Sequence, residues 1–445
     1  MKKFKVCLAV LMIAMMMGGS AWAFDATNHV KVAPNGKGDL LIFPWYFAYQ
    51  GGYQTKITVT NTSNTQSVVA KVIYRSFNWS FEVLDHLIFL SPNDVWTGTL
   101  VNELVNGVNV AKLKSNDDSI LGSGRWPSGA ATDADFGNIT PVDEVLRPSR
   151  CPALAAPPAG YADDANTFGY IEVIEAAART ESVAGTGYKP GDRVAKKHIY
   201  DWYVTLADPV KILSYPTANV LTGYQENTFG VGQTLRQANV FADYRNFAYL
   251  DPGAWTGLGL NANNTLAEVE AAMGKLNVAL PYIARANGDT SVHIFNFPTK
   301  LSWENGSTCT NYRIYPESPY WMLVNNKCEG YTRLIYDLSE NTPTDARSPF
   351  SPYTNPTYYM CGEVQFDQQA LGLLTYTEGW IRYNWSKSAV VKTGRQLSGG
   401  AISYTGTPVL TSALFWTAAR ANPAEANAAY DDGAVQGLRY YQYSN

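Results

Sequence analysis

Between Asp39 and Leu100 the chain falls into short apolar runs separated by turn residues. Leu40-Leu41-Ile42-Phe43 is apolar throughout, and Pro44 is expected to stop it. Thr55-Lys56-Ile57-Thr58-Val59-Thr60 alternates polar with apolar residues, the period-two signature of a half-buried strand. Asn61-Thr62-Ser63-Asn64 is a turn cluster, and Val68 to Phe77 reads as the returning strand. There Val69, Lys71, Ile73 and Arg75 are set against Val68, Ala70, Val72 and Tyr74 in an imperfect alternation. Phe81 to Leu90 is a third run, closed by the turn residues Ser91-Pro92-Asn93-Asp94, and Val95 to Val101 is a fourth. Strands at this even spacing predict an antiparallel sandwich, with Leu90 and Trp96 buried on a sheet face.

The pattern changes over about 115–165, which is rich in Gly, Pro, Ala and Asp and predicts a long loop. Strand patterns return at Phe168 to Ile174, Tyr200 to Leu206, Ser291 to Phe297 and Gly379 to Trp385. Thr265 with Glu268 forms a capping box, and Leu266, Val269 and Met273 follow at helical spacing. Pro423 to about Tyr430 is a second helical candidate, with Pro in its first turn. Asn341 to Pro356 is a proline-rich loop. The expected fold is mainly β: an antiparallel β-sandwich, immunoglobulin-like or jelly-roll-like, with long loops and one or two short helices. The first β-sandwich domain is set at 24–225. A second β-rich region, open to interleaving with the first, is set at 226–445.

Residues 1–23 change the setting of everything after them. Lys2, Lys3 and Lys5 precede an apolar run from Val6 to Met17, and Ala21-Trp22-Ala23 closes it. That is an export signal with cleavage between Ala23 and Phe24; the apolar run is short for a bilayer span. Cleavage removes three lysines from 34 basic side chains, against 38 acidic ones, giving a balance of about −7. An acidic balance disfavours nucleic acid and anionic lipid as partners. No later stretch is apolar over 18 residues, so no transmembrane helix is expected after the signal.

Four cysteines remain after cleavage: Cys151, Cys309, Cys328 and Cys361. An even number in an exported chain predicts two disulfides, with three possible pairings. Cys309 with Cys328 is preferred for its short loop, leaving Cys151 with Cys361. Closing a loop of this size is worth roughly 3 kcal/mol on the chain-entropy view.

Candidate chemistry adds little. There is no G-x-S-x-G elbow, no H-E-x-x-H, no Walker loop and no G-x-G-x-x-G after a strand. His29, His86, His198 and His293 are scattered, and His86 and His293 lie in apolar strands where a ring packs. Glu172 and Glu175 are three apart in one strand, so alternation sends them to opposite faces and makes them a poor acid–base pair. Calcium is the one cofactor considered, through Asp117-Asp118, Asp163-Asp164 and Asp431-Asp432; none has EF-hand spacing. No catalytic, cofactor-binding or metal-binding residue is assigned.

The runs GDLLIFPWY at 38–46, TKITVTNTS at 55–63, VIYRSFNWSFEVLDHLIFLSPNDVWTG at 72–98, GYIEVIE at 169–175, LTGYQ at 221–225, FPTK at 297–300 and YTGTPV at 404–409 carry a resemblance. Their order resembles a family of uncharacterised, secreted, β-rich bacterial surface proteins, with LSPNDVW the most specific piece. The resemblance implies export and a sandwich-like fold, and supplies no ligand or catalytic residue. The resulting expectation is an exported, non-enzymatic structural or adhesive protein of the periplasm, outer cell surface or extracellular space. Its partners would be other surface or matrix components, polysaccharide or further copies of itself. The alternatives are a secreted carbohydrate-binding or carbohydrate-active protein and an outer-membrane β-barrel. Against the barrel, the terminal RYYQYSN does not end on an aromatic residue.

Overall fold

The structure, a computed structural model, describes residues 30–49, 52–76, 82–120, 142–146, 167–180, 190–205, 219–229, 232–244, 269–286, 288–299, 329–339, 358–360, 364–369, 374, 376–385, 393–394, 401–402 and 406–416. Over these residues the chain is mainly β, arranged in several antiparallel sheets, none of which closes on itself. In the first half the elements are β1 (Lys31–Val32), β2 (Leu40–Phe47), β3 (Gln54–Asn61), β4 (Gln66–Ser76), β5 (Glu82–Leu90), β6 (Val95–Val105), β7 (Val108–Ser115), β8 (Val142–Val145), β9 (Phe168–Thr180) and helix α1 (Arg193–Thr205). There follow β10 (Leu221–Phe229), β11 (Gly232–Gln237), β12 (Asn239–Ala242), β13 (Gly274–Lys275), β14 (Asn277–Ile283), β15 (Thr290–Asn296) and β16 (Glu329–Tyr336). The remainder are β17 (Tyr358–Met360), β18 (Val364–Gln369), β19 (Glu378–Trp385), β20 (Thr393–Gly394), β21 (Ala401–Ile402), β22 (Thr407–Pro408) and β23 (Leu410–Trp416).

Two six-stranded sheets dominate. The central sheet has the order β1-β12-β2-β9-β4-β5, and the outer sheet β11-β10-β3-β6-β7-β8. They share one apolar cluster, in which Leu41, Phe43, Val72, Tyr74, Ile171 and Val173 of the central sheet meet Ile57, Val59, Trp96, Leu100 and Leu113 of the outer sheet. The reverse face of the central sheet is buried as well. Leu40, Ile42, Trp45, Ile73, Tyr170 and Ile174 pack with Val269 and Met273 and with Ile294 and Leu414 of the three-stranded sheet β18-β15-β23. That three-stranded sheet turns Phe295, Ala413 and Phe415 toward a third cluster, built with Leu280, Ile381, Tyr383 and Trp385 of the four-stranded sheet β14-β19-β16-β17.

Burial on both faces explains the sequence pattern. A strand covered on one side alternates, whereas a strand covered on both sides reads as nearly continuous apolar residues. The predicted alternation in β4 is real: Val68, Ala70, Val72 and Tyr74 face the first cluster, while Ile73 faces the second. It looked imperfect because both sides of β4 are largely buried, with only Gln66 and Lys71 partly exposed.

Three local expectations are corrected. Pro44 does not end the first strand; β2 runs on to Phe47 through a register shift between Phe43 and Tyr46. A strand proline has no N–H to give its neighbour, and a bulge accommodates that loss. The inserted residue keeps Trp45 with Leu40 and Ile42, and Tyr46 with Leu41 and Phe43. Second, the stretch expected as a strand from Tyr200 is helical through Thr205. Asp192 caps α1, its Oδ1 accepting from Val194 N at 2.9 Å. Ala195, Ile199 and Tyr203 then fall four apart along one buried face, against Val69, Phe89 and Ala177. Third, the long loop over 115–165 contains β8, which pairs with β7.

The helical candidate at Thr265 is described from Val269, and residues 269–273 are helical. The candidates over 341–356 and 423–430 lie outside the described residues. β11 and β12, beyond residue 225, pair into the outer and central sheets. No described helix is long and apolar enough to cross a membrane.

Candidate functional site

One group of interacting polar side chains lies between the three- and four-stranded sheets. His293 points from β15 into the third apolar cluster because β15 alternates, with Ser291 and Phe295 on the same side. Its Nε2 lies 2.9 Å from the Pro281 carbonyl oxygen and its Nδ1 2.6 Å from Tyr383 Oη. Tyr383 Oη donates to Asp367 Oδ2 at 2.7 Å and receives Gln369 Nε2 at 3.4 Å. Arg333 Nη1 stands 3.6 Å from the same Asp367 oxygen. Asp367 and Arg333 are partly open to solvent while His293 is fully buried, so the chain runs from rim to core. Burial lowers His293 to about 4 and pushes the Tyr383 phenol well above its ordinary range, with Asp367 adding to the latter.

Two further buried charge groups join separate elements. Arg75 Nε and Glu172 Oε2 meet at 2.8 Å between β4 and β9, both side chains sealed from water. Lys196 on α1 is equally buried; it contacts Asp94 Oδ2 at 3.1 Å, Ser119 Oγ at 3.0 Å and Asp118 Oδ1. Asp94 is itself fixed by Ser91 N and Ser91 Oγ, both at 3.0 Å, and by Val95 N at 2.9 Å. The lysine therefore ties α1 to the 91–95 turn and to the 117–119 segment. A buried charge needs such partners, because stripping its water costs several kcal/mol.

Arg75 pairs with Glu172, and Asp85 pairs with Lys71 at 2.5 Å. Glu172 and Glu175 are both buried, and Glu172 is spent on Arg75. In the sequence Glu172 stands only as half of an unpromising acid pair. Its partner Arg75 is 97 residues away, and nothing local announces that contact.

His86 packs against Trp96, with ring centroids 5.2 Å apart, and its Nε2 lies 3.3 Å from Tyr74 Oη. Burial lowers it to about 4. Asp117 accepts from Ser119 N at 2.9 Å and from Thr97 N at 3.1 Å; Asp118 holds Lys196 and also faces Arg193 at 3.5 Å. Among the described residues no group of three or more potential ligands is placed to hold a metal ion. Asp163-Asp164, Asp431-Asp432, Cys151, Cys309, Cys328, Cys361, Ala23 and Phe24 lie outside the described residues.

The outer face of the outer sheet is a second candidate. Along β10, Leu221, Gly223, Gln225 and Asn227 turn inward while Thr222, Tyr224, Glu226 and Thr228 turn outward. Register aligns Gln237, Tyr224, Thr58 and Thr97 in one row across four strands. The next row is Leu235, Glu226, Lys56, Thr99, Lys114 and Asp143 across all six. Tyr224 and Leu235 are exposed on this face.

Comparison of the chain with family models, with curated proteins and with solved structures gives no match.

Proposed function

We propose that this chain is an exported, non-enzymatic structural or adhesive protein of the bacterial surface or extracellular space, built as packed β-sandwich layers. The observation that carries the reading is the outer face of the outer sheet. It offers the half-exposed Thr97 and Thr99, charges of both signs at Glu226, Lys56, Lys114 and Asp143, and an exposed Tyr224 and Leu235, on a sheet whose other side is packed. A rigid scaffold presenting such a face suits contact with polysaccharide, matrix or another copy. The buried charges support the same reading: Arg75–Glu172 and Lys196 with its aspartates tie elements together inside the fold. The resemblance to secreted β-rich surface proteins and the export signal point the same way, with two disulfides among Cys151, Cys309, Cys328 and Cys361.

Fractionation of the native host tests this directly. The protein is expected in the surface or extracellular fraction, beginning at Phe24, with no titratable thiol before reduction. A cytosolic protein that retains Met1 and free thiols overturns it. Tyr224→Glu combined with Thr97→Lys should weaken retention on the surface fraction at least tenfold, with the circular dichroism spectrum unchanged.

A carbohydrate-binding reading has one observation in its favour. Tyr336 and Trp380 stack at 3.9 Å with 8° between their planes, and Arg382 and Asn384 share the half-exposed face of β19. Aromatic faces beside hydrogen-bonding side chains suit sugar rings. A glycan array that retains the wild type and loses Trp380→Ala would favour this reading over the first.

A further inference from the structure

The four-stranded sheet buries one face and leaves the other partly open. Along β19, Gly379, Ile381, Tyr383 and Trp385 are buried, while Trp380, Arg382 and Asn384 on the opposite side are half-exposed. β14 carries the same alternation, and Thr332, Leu334 and Tyr336 of β16 are half-exposed. Register sets these residues in rows. Trp380 lies opposite Tyr336, and their rings are 3.9 Å apart and 8° from parallel. In the next row Arg382 stands between Ala279 and Leu334, and in the third Asn384 stands between Asn277 and Thr332. Successive rows on one face of an antiparallel sheet are about 7 Å apart.

Charge singles out the middle row. Among the described residues Arg382 has no carboxylate partner, and its Nε is sealed from solvent without a hydrogen bond. The side chain is therefore held against its neighbours as far as Nε, and its two terminal nitrogens are left to meet a ligand. Glu378, the acid on the same side of β19, is taken by Arg285. The other side chains of the second and third rows carry no charge. An uncompensated cation thus stands between an aromatic pair and a row of amides. We infer, on the carbohydrate-binding reading of Tyr336 and Trp380, that this face takes an acidic polysaccharide whose rings carry carboxylates, as uronates do.

Each row suits a different part of such a ligand. The C–H side of a sugar ring packs on aromatic carbon, and its carboxylate is matched by a guanidinium, which offers two parallel N–H donors in one plane. Its hydroxyls both donate and accept, as do the amides of Asn384 and Asn277 and the hydroxyl of Thr332. The step of about 7 Å from Trp380 to Arg382 sets the cation beside a ring resting on the aromatic pair, where a ring substituent projects. The stacked rings brace each other, so little side-chain freedom is lost on binding. A neutral sugar makes no use of the Arg382 charge, and a polyanion without rings makes none of the aromatic pair.

Affinity electrophoresis of the whole mature protein tests this, in gels containing alginate (a uronate polymer), dextran (a neutral polysaccharide) or polyglutamate (a polyanion without sugar). Alginate should retard the wild type, with dextran and polyglutamate each about tenfold weaker or more. Arg382→Gln should weaken alginate retention by about tenfold, the loss of a charge-assisted contact, and Trp380→Ala should weaken it as well. Equal retention by alginate and dextran, unmoved by Arg382→Gln, overturns the acidic class and leaves the carbohydrate-binding reading standing. Equal retention by alginate and polyglutamate overturns the inference in favour of charge alone. Retention by none of the three overturns both the inference and the carbohydrate-binding reading. Wild-type retention on alginate should also fall as salt is raised, because the Arg382 contact is partly exposed; retention insensitive to salt overturns the inference even if a variant does not fold.

Discussion

Trp96 is the largest apolar side chain of LSPNDVW, and it lies fully buried between the outer and central sheets beside His86. Truncating a buried tryptophan removes its packing and leaves a cavity, so Trp96→Ala should cost about 3–5 kcal/mol, read from denaturant melts. Arg75 makes a different point. Its pairing with Glu172 is of modest net worth, because both charges surrendered their water. Arg75→Ala should nevertheless cost about 3–5 kcal/mol, since it removes the cationic partner of a carboxylate buried in the core. Adding Glu172→Leu to Arg75→Met should restore much of that loss, and a double mutant as weak as the single one would argue against the account. At this scale burial was legible in the sequence and partnership was not. An apolar residue between turn signals has few places to go, whereas Arg75 carries no local mark of an acid 97 residues on.

The hairpin between β6 and β7 turns on Asn106 and Gly107, both at positive φ (52° and 81°), with Val105 paired to Val108. That is the two-residue turn whose twist matches antiparallel strands, and Asn-Gly is its favoured sequence. A Cβ at Gly107 would meet nothing within 4 Å, so its requirement is purely one of backbone angle. Gly107→Ala should therefore cost about 1–2 kcal/mol in unfolding experiments without changing the far-ultraviolet spectrum. Gly169 is the opposite case: a Cβ there would lie 1.8 Å from the Arg75 carbonyl oxygen, so close strand approach forbids a side chain. Strands were mostly legible because turns and period-two alternation are local. The failures share a cause. Tyr200 to Thr205 is aromatic and β-branched, which favours strand by propensity, yet the cap at Asp192 and a spacing of four place it in a helix. Pro44 reads locally as a stop, and only pairing with β9 shows that the strand absorbs it as a bulge.

On the scale of the molecule, burial of His86 has a consequence for acid stability. Its folded value of about 4 lies below the unfolded value of about 6.5, so the unfolded chain takes up the proton first as pH falls. The stability this residue contributes is present above about pH 6.5 and is lost progressively toward pH 4. His86→Gln should reduce the loss between pH 6.5 and 4; an unaltered acid limb would show that His86 remains solvated. By itself the sequence determined the mainly antiparallel β character, most strand positions and the burial of the LSPNDVW tryptophan, because hydrophobic alternation and turn chemistry act over a few residues. Only the tertiary structure decided that the central sheet is covered on both faces, that Arg75 finds Glu172, and that His293, Tyr383 and Asp367 form one chain. Those depend on which strands become neighbours, and strand neighbours are chosen by the packing of whole sheets.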